Sequence, residues 1–164
     1  MAQQLFELLK KDHRLVEQLM DKLVEGDEEQ RQEVFERLNS SLTQHMQLEE
    51  KYFYPLIKDE ESMQELVEDA LHEHQETKKL LQKLNKTSMN SDQWMETLEQ
   101  MQEGVLHHVE DEEEQIFPQC KEVLSDAQLK QIFQQVKEEK EQLAAAPEKK
   151  QKSTTKQPRK EARP

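Results

Sequence analysis

Two short segments of this chain pair an imidazole with a carboxylate four residues further on: His45 with Glu49 in HMQLEEKYFYP, and His108 with Glu112 in HVEDEEEQIFP. Each ends in an aromatic residue and a proline, Tyr54-Pro55 and Phe117-Pro118, and the histidine, glutamate and proline all recur at an offset of 63 residues. A lone histidine behind an acidic residue precedes each segment, as Asp12-His13 and Glu73-His74. Residues four apart on a helix are rotated by about 40° and displaced by about 6 Å, so each His–Glu pair projects from one face. Imidazoles and carboxylates without thiolates suit iron, manganese or zinc, and argue against copper–thiolate or calcium sites.

The elements that must position these groups are helices. Leu5, Leu9, Val16, Leu19 and Leu23 recur at helical steps, with His13 on the same line. Gly26 is a stop, and Asp27 with Gln30 reads as a capping box opening a second helix, whose buried line is Val34, Leu38, Leu42, His45, Glu49, Tyr52 and Leu56. Ser62 with Glu65 caps a third helix along Met63, Val67, Ala70, His74 and Leu81; Ser91 caps a fourth along Trp94, Leu98, Met101, Val105, His108, Glu112 and Ile116. Short loops favour antiparallel neighbours, and a period near sixty suits a duplicated helix pair. The expected fold class is all-α, an antiparallel up-down-up-down four-helix bundle. Ser125 with Gln128 opens a short fifth helix through Leu129, Ile132, Phe133 and Val136, packed against the bundle end.

Such a bundle aims four imidazoles and two carboxylates inward. Burying two carboxylates among apolar side chains is prohibitively costly unless they are protonated, paired or coordinated to cations. A pair of metals satisfies all six groups. Glu49 and Glu112, one from each half, are placed to bridge, with two of His13, His45, His74 and His108 on each metal; that is the architecture of a non-haem di-iron centre.

Composition agrees with long helices around a lean core. Hydrophobic residues make up 33% of the 164 residues against 36% charged, with a mean hydropathy of −1.11, values that alone would suggest disorder. Two glycines, five prolines and an abundance of Glu, Gln, Lys and Leu point instead to helices, and a metal site helps to hold such a core together. The single cysteine, Cys120, excludes an internal disulfide and any Cys-rich zinc or iron–sulfur site. No signal-peptide run and no bilayer-spanning stretch occurs, so the expectation is a cytoplasmic protein with no membrane partner. Residues 1–146 are assigned to the bundle with its fifth helix, and residues 147–164 to a disordered basic tail. The tail holds seven Lys or Arg against two Glu, a net of +5, leaving −18 on the rest of a chain of net charge −13. Only this tail suits a nucleic acid, which is not an expected partner.

The ordered set of Asp12-His13, His45 with Glu49, Glu73-His74 and His108 with Glu112, with its aromatic–proline ends, resembles the hemerythrin-like HHE cation-binding domain over about residues 5–120. The resemblance implies a four-helix bundle holding two non-haem irons, oxo- or hydroxo-bridged, with the four histidines as terminal ligands and Glu49 and Glu112 as bridges. It also implies dioxygen, nitric oxide or peroxide as the small partner. Oxygen carriers of this family have a fifth histidine one turn after the third-helix ligand, where this chain has Lys78, and an aspartate five residues after the last histidine, where it has Glu112 at four. It is more similar to the members with four histidines and two glutamates, associated with iron–sulfur repair, nitric oxide chemistry and iron or oxygen sensing. Two octahedral metals offer about twelve positions, of which these ligands and a bridging oxygen fill about ten. The open positions suit inner-sphere binding or redox turnover.

Several neighbours compete for roles. His107 lies on the solvated line Gln100, Glu103, Asp111, Glu114, so His108 takes the ligand position; His72 likewise reads as a surface residue. Glu17 is a possible supplement to the site or an exposed helix partner, and Tyr52 a hydrogen-bond or redox neighbour or a core residue. Ser41 and Gly104, one turn before His45 and His108, mark either space for a small ligand or close helix packing. Cys120 receives no function. Three function classes follow: a di-iron protein binding dioxygen or nitric oxide; an iron-redox enzyme or iron donor such as a ferroxidase, peroxidase, nitric oxide reductase or cluster-repair factor; and a metal-free helical interaction module.

Overall fold

The computed structural model describes residues 3–145. Helix α1 (Gln3–Glu25) buries Leu5, Leu9, His13, Val16, Leu19 and Leu23, the expected line. It stops where the Gly26 N–H bonds to the Lys22 carbonyl at 2.7 Å; a Cβ on Gly26 would stand 2.3 Å from that oxygen, so only glycine closes the turn this tightly. Helix α2 (Glu28–Leu48) follows directly. The expected Asp27 capping box does not form: the Asp27 side chain takes no bond from the first turn, and the Gln30 N–H uses the Asp27 carbonyl at 3.3 Å instead.

At Glu49 the α-helical ladder widens. Residues Glu49–Phe53 form a π-helical turn before the helix resumes as α3 (Tyr54–Ile57). Helix α5 (Asp92–Asp111) repeats this, passing through the π-helical turn Glu112–Ile116 into α6 (Phe117–Val123). The cause is visible in the sequence. Pro55 and Pro118 carry no N–H, and in an ideal α-helix their rings would strike the carbonyls four residues back. Widening the turn avoids that clash, and the residues before them, Tyr54 and Phe117, bond through N–H to the carbonyls of Glu49 and Glu112.

One extra residue in the turn rotates everything beyond it. The buried line of α2 therefore continues not through Tyr52 and Leu56 but through Phe53, Tyr54 and Ile57, leaving Leu56 44% exposed and Tyr52 half-buried. In the α5–α6 rod the expected line from Trp94 to Ile116 is buried throughout, joined by Phe117 and Cys120.

Helix α4 (Gln64–Lys86) buries Val67, Ala70, His74, Thr77, Leu81 and Leu84. Ser62 does not cap it. The preceding turn folds around the Glu60 carbonyl, which accepts the N–H groups of Met63 and Gln64. Ser91 does cap α5, accepting the Trp94 N–H at 3.2 Å, and Ser125 with Gln128 makes the reciprocal box at the start of α7 (Asp126–Ala145). The rods close into an antiparallel four-helix bundle in which α1 packs on α2 and α5, and α4 on α5 and α2, while α7 lies against α1 and the first π-helical turn. Two apolar cores result, one holding Leu5, Leu9, Phe53, Ile57 and Phe117, the other Val16, Leu38, Leu42, Met101 and Val105. A buried polar layer separates them. No described helix is long and apolar enough to cross a membrane. The segment assigned above to a basic tail lies outside the described residues.

Candidate metal centre

The polar layer consists of His13, His45, Glu49, His74, His108 and Glu112, between 0% and 7% exposed. Their side chains gather into two groups, His13, His45, Glu49 and Glu112 in one and Glu49, His74 and His108 in the other, so Glu49 is common to both. Glu112 also reaches both sides, with Oε1 3.1 Å from His13 Nε2 and Oε2 3.8 Å from His108 Nε2. Glu49 has Oε2 3.1 Å from His45 Nε2 and Oε1 3.2 Å from His74 Nε2.

All four imidazoles are oriented the same way. Each Nδ1 meets an outer carboxylate: His13 with Glu113 at 2.7 Å, His45 with Asp12 at 3.0 Å, His74 with Glu50 at 2.7 Å, and His108 with Glu73 at 2.8 Å. Each Nε2 is thereby left facing inward. The outer carboxylates form a closed relay round the bundle, because each neighbours a layer residue on its own rod but holds the histidine of the next. Asp12 of α1 serves α2, Glu50 serves α4, Glu73 of α4 serves α5, and Glu113 serves α1. Cationic or imidazole partners back this ring: Lys140 on Asp12, Lys78 on both oxygens of Glu50 at 3.0 Å, Arg14 on Glu113, and His107 3.7 Å from Glu73. Outer partners of this kind fix ring orientation and raise the basicity of metal-binding histidines.

Whether the layer fits a metal is decided by its unsatisfied atoms. His45 Nε2 and Glu49 Oε2 are buried and make no hydrogen bond despite lying 3.1 Å apart. His74 Nε2 and His108 Nε2 approach to 3.2 Å, where two N–H donors would oppose one another. A cation at each position would satisfy these groups together, and imidazole with carboxylate is a suitable donor set.

Sequence comparison points the same way. Residues 4–120 match the family described as the hemerythrin HHE cation binding domain. The chain belongs to that family. In fold it is similar to the hemerythrin HHE cation binding domain-containing protein of Mycobacterium kansasii, whose crystal structure superposes with a TM-score of 0.73 over 84% of this chain and 85% of that one, at 24% identity. A curated relative, a DNA nickase of Nostoc sp. (strain PCC 7120), is 29% identical over 129 residues; the match covers 76% of this chain but only 36% of the relative's length. As an HHE domain this chain is a metal-cation-binding helical bundle.

The geometry of this HHE domain corrects several expectations. Tyr54, not Tyr52, enters the layer, its hydroxyl donating to Glu112, with Glu49 Oε1 at 3.0 Å and His74 Nε2 at 3.5 Å. The π-helical turn sends Tyr52 outward to Glu139. The signal was present in the duplicated aromatic–proline ends: Tyr54 packs against His74, and its counterpart Phe117 stacks on His13 at 6.1 Å, without a hydroxyl. Glu17 pairs with Arg14 at 3.6 Å outside the layer. Gly104 faces outward, where a Cβ would meet nothing within 4 Å, and half-buried Ser41 borders a cleft with Asp12 and Lys140; the residues turned to the layer are Leu42 and Val105. These two, with Met46, Thr77, Val109 and the four histidines, line a cavity of about 20 Å³, room for about one water-sized molecule.

Electrostatics follow from this crowding. Burial opposes charge on the imidazoles, but in the metal-free layer the carboxylates prevail: His45 is held well above its ordinary value by Glu49 and Asp12, and His74 is raised to about 9 by Glu49 and Glu50. Burial likewise pushes the Glu49 carboxyl up, yet His45 and His74 hold it well below the usual carboxylate range. Burial, with Glu112 and Glu49, keeps Tyr54 a phenol. Burial and Glu112 push the Cys120 thiol up to about 12, so it is inert at neutral pH.

Proposed function

We propose that this chain is a non-haem di-iron protein of the cytoplasm whose centre binds or reacts with dioxygen, nitric oxide or peroxide, in sensing, scavenging or stress protection. His13 and His45 would hold one iron and His74 and His108 the other, with Glu49 and Glu112 between them. The observation that carries this reading is the uniform presentation of four Nε2 atoms around two shared carboxylates, each imidazole locked from behind by an outer carboxylate. An iron pair supplies one-electron redox changes and open positions for a small ligand.

The protein's own groups limit what can reach it. The cavity beside the four histidines is walled largely by Leu42, Met46, Val105 and Val109 and has room for about one water-sized molecule. Lys78 is committed to Glu50 in the outer ring, so the position of a fifth histidine is filled by a residue that does not face the layer. The DNA nickase activity named for the Nostoc relative would require a phosphodiester at the reacting groups. Here those groups are buried and the chain carries a net charge of −13, which disfavours that reading.

A second reading, an iron-redox enzyme or iron donor, is favoured by Tyr54. Its hydroxyl stands within hydrogen-bond reach of both shared carboxylates and so places a phenolic O–H donor within the layer. Stopped-flow spectra of the anaerobically reduced, iron-loaded chain mixed with dioxygen, nitric oxide or peroxide separate the two. A stable adduct released on removing the gas supports binding. Rapid oxidation with repeated turnover supports the enzyme, and no spectral response to any of the three would reject both.

A further inference from the structure

Helix α7 lies beyond residues 4–120 matched by the family, yet it reaches the ring around the histidines. Lys140 Nζ stands 2.8 and 3.0 Å from the two oxygens of Asp12, whose Oδ2 holds His45 Nδ1 at 3.0 Å. The preceding residue, Glu139, accepts from the Tyr52 hydroxyl and from Lys51 at 2.9 Å, both inside the π-helical turn that carries Glu49 and Glu50. Leu129, Ile132 and Val136 are buried and seat the helix. Thus α7 grips the bundle behind one candidate ligand and on the turn that presents another.

We propose that Lys140 is a positioning residue for the metal ligand His45, acting through Asp12, and that docking of α7 and occupancy of the metal position at His45 are coupled. This rests on the two-metal reading above. An Asp carboxylate that holds an imidazole can still swing about its own Cβ–Cγ bond; a cation on both oxygens fixes its plane. Lys78 does the same for Glu50, and Arg14 holds one oxygen of Glu113, both from within the four-helix bundle, whereas the partner of Asp12 comes from the fifth helix. The contact is also shielded, with side-chain exposures of 24% for Lys140 and 14% for Asp12. Removing an outer partner of a ligating histidine lowers metal affinity by about 10- to 100-fold, and a cation one step further out is assigned the low end, about tenfold. By linkage, the factor by which docked α7 tightens the metal is the factor by which the metal tightens docking.

The test uses the full chain, Co²⁺ as probe, and three variants. Lys140→Met removes the contact, Lys140→Arg keeps the charge, and Lys79→Met removes an exposed ion pair within α4 that touches neither α7 nor the ring. Co²⁺ titration with metal counting should show two sites in the wild type, with one weakened about tenfold in Lys140→Met, largely restored in Lys140→Arg and unaffected in Lys79→Met. Hydrogen exchange of α7 amides should slow by a similar factor on Co²⁺ loading in the wild type and lose that response in Lys140→Met. Unchanged Co²⁺ affinity in Lys140→Met, or an equal loss in Lys79→Met, overturns the inference while leaving two metals in place. A wild-type chain that takes up no Co²⁺ defeats the two-metal reading and this inference with it.

Discussion

Loading metal into this layer must expel protons. In the metal-free chain burial disfavours charge on His13, His45 and His74, but Glu112 for the first, Glu49 and Asp12 for the second, and Glu49 and Glu50 for the third outweigh it, so all three sit above the ordinary value of 6.5, His74 at about 9. Each Nδ1 is already engaged by its outer carboxylate, so the proton to be lost is on Nε2, where a metal would attach. At about pH 7.5 an imidazole with a pKa of about 9 is neutral only about one time in thirty, which weakens metal binding about thirtyfold, or about 2 kcal/mol. His45 adds a cost of the same sign and His13 a smaller one. Calorimetric titration of the metal-free chain with Co²⁺, in buffers of different ionisation enthalpy, is therefore expected to count about two to three protons released per chain, with affinity falling steeply from about pH 8 to pH 6. A titration with no proton release would refute the reasoning, because the imidazoles would then be neutral before the metal binds.

Three further outcomes are expected. Glu49→Ala and Glu112→Ala should each lose at least one metal by elemental analysis; retention of both metals in both variants would defeat their bridging assignment. Tyr54→Phe leaves two buried carboxylates without their shared donor and should destabilise the metal-free chain by about 1–3 kcal/mol in urea while metal content stays at two; an unaltered urea midpoint would show that the hydroxyl is not holding the layer. The metal-free chain should also lose stability at both ends of the pH scale. The raised His74 contributes about 3 kcal/mol, present below pH 6.5 and lost as pH rises through about 9. The depressed Glu49 contributes above pH 4.5 and is lost as pH falls through its lowered value. Urea midpoints that stay flat from about pH 6 to pH 10 would contradict the imidazolium–carboxylate pairing.

The helices and their inner faces were legible because a 3.6-residue period places Leu5, His13 and Val16, or Val105, His108 and Glu112, on one line, and the structure brings all six expected site residues into one layer. What was not legible begins at the π-helical turns. A straight helical reading carries the line of α2 to Tyr52 and Leu56, whereas the turn made necessary by Pro55 delivers Phe53 and Tyr54. A proline six residues after a candidate ligand glutamate, twice, was the available warning. The outer ring was hidden for a different reason. Asp12, Glu50, Glu73 and Glu113 each stand beside a layer residue in sequence but serve a histidine on another rod, so no spacing rule pairs them. Lys78, legible only as a missing histidine, acquires its place through Glu50. Lys140 is 128 residues from Asp12, and only the packing of α7 joins them.

In the proposed centre two metals share Glu49 and Glu112 between histidine pairs from the two halves of the duplication. A crystal structure of the iron-loaded chain, with anomalous differences measured on both sides of the iron absorption edge, tests it most directly. Two iron peaks per chain are expected, one bonded to Nε2 of His13 and His45, the other to Nε2 of His74 and His108, with both carboxylates between them. A single peak, or irons bound only at surface groups such as Glu73, His107 and Asp111 with the layer empty, would contradict it.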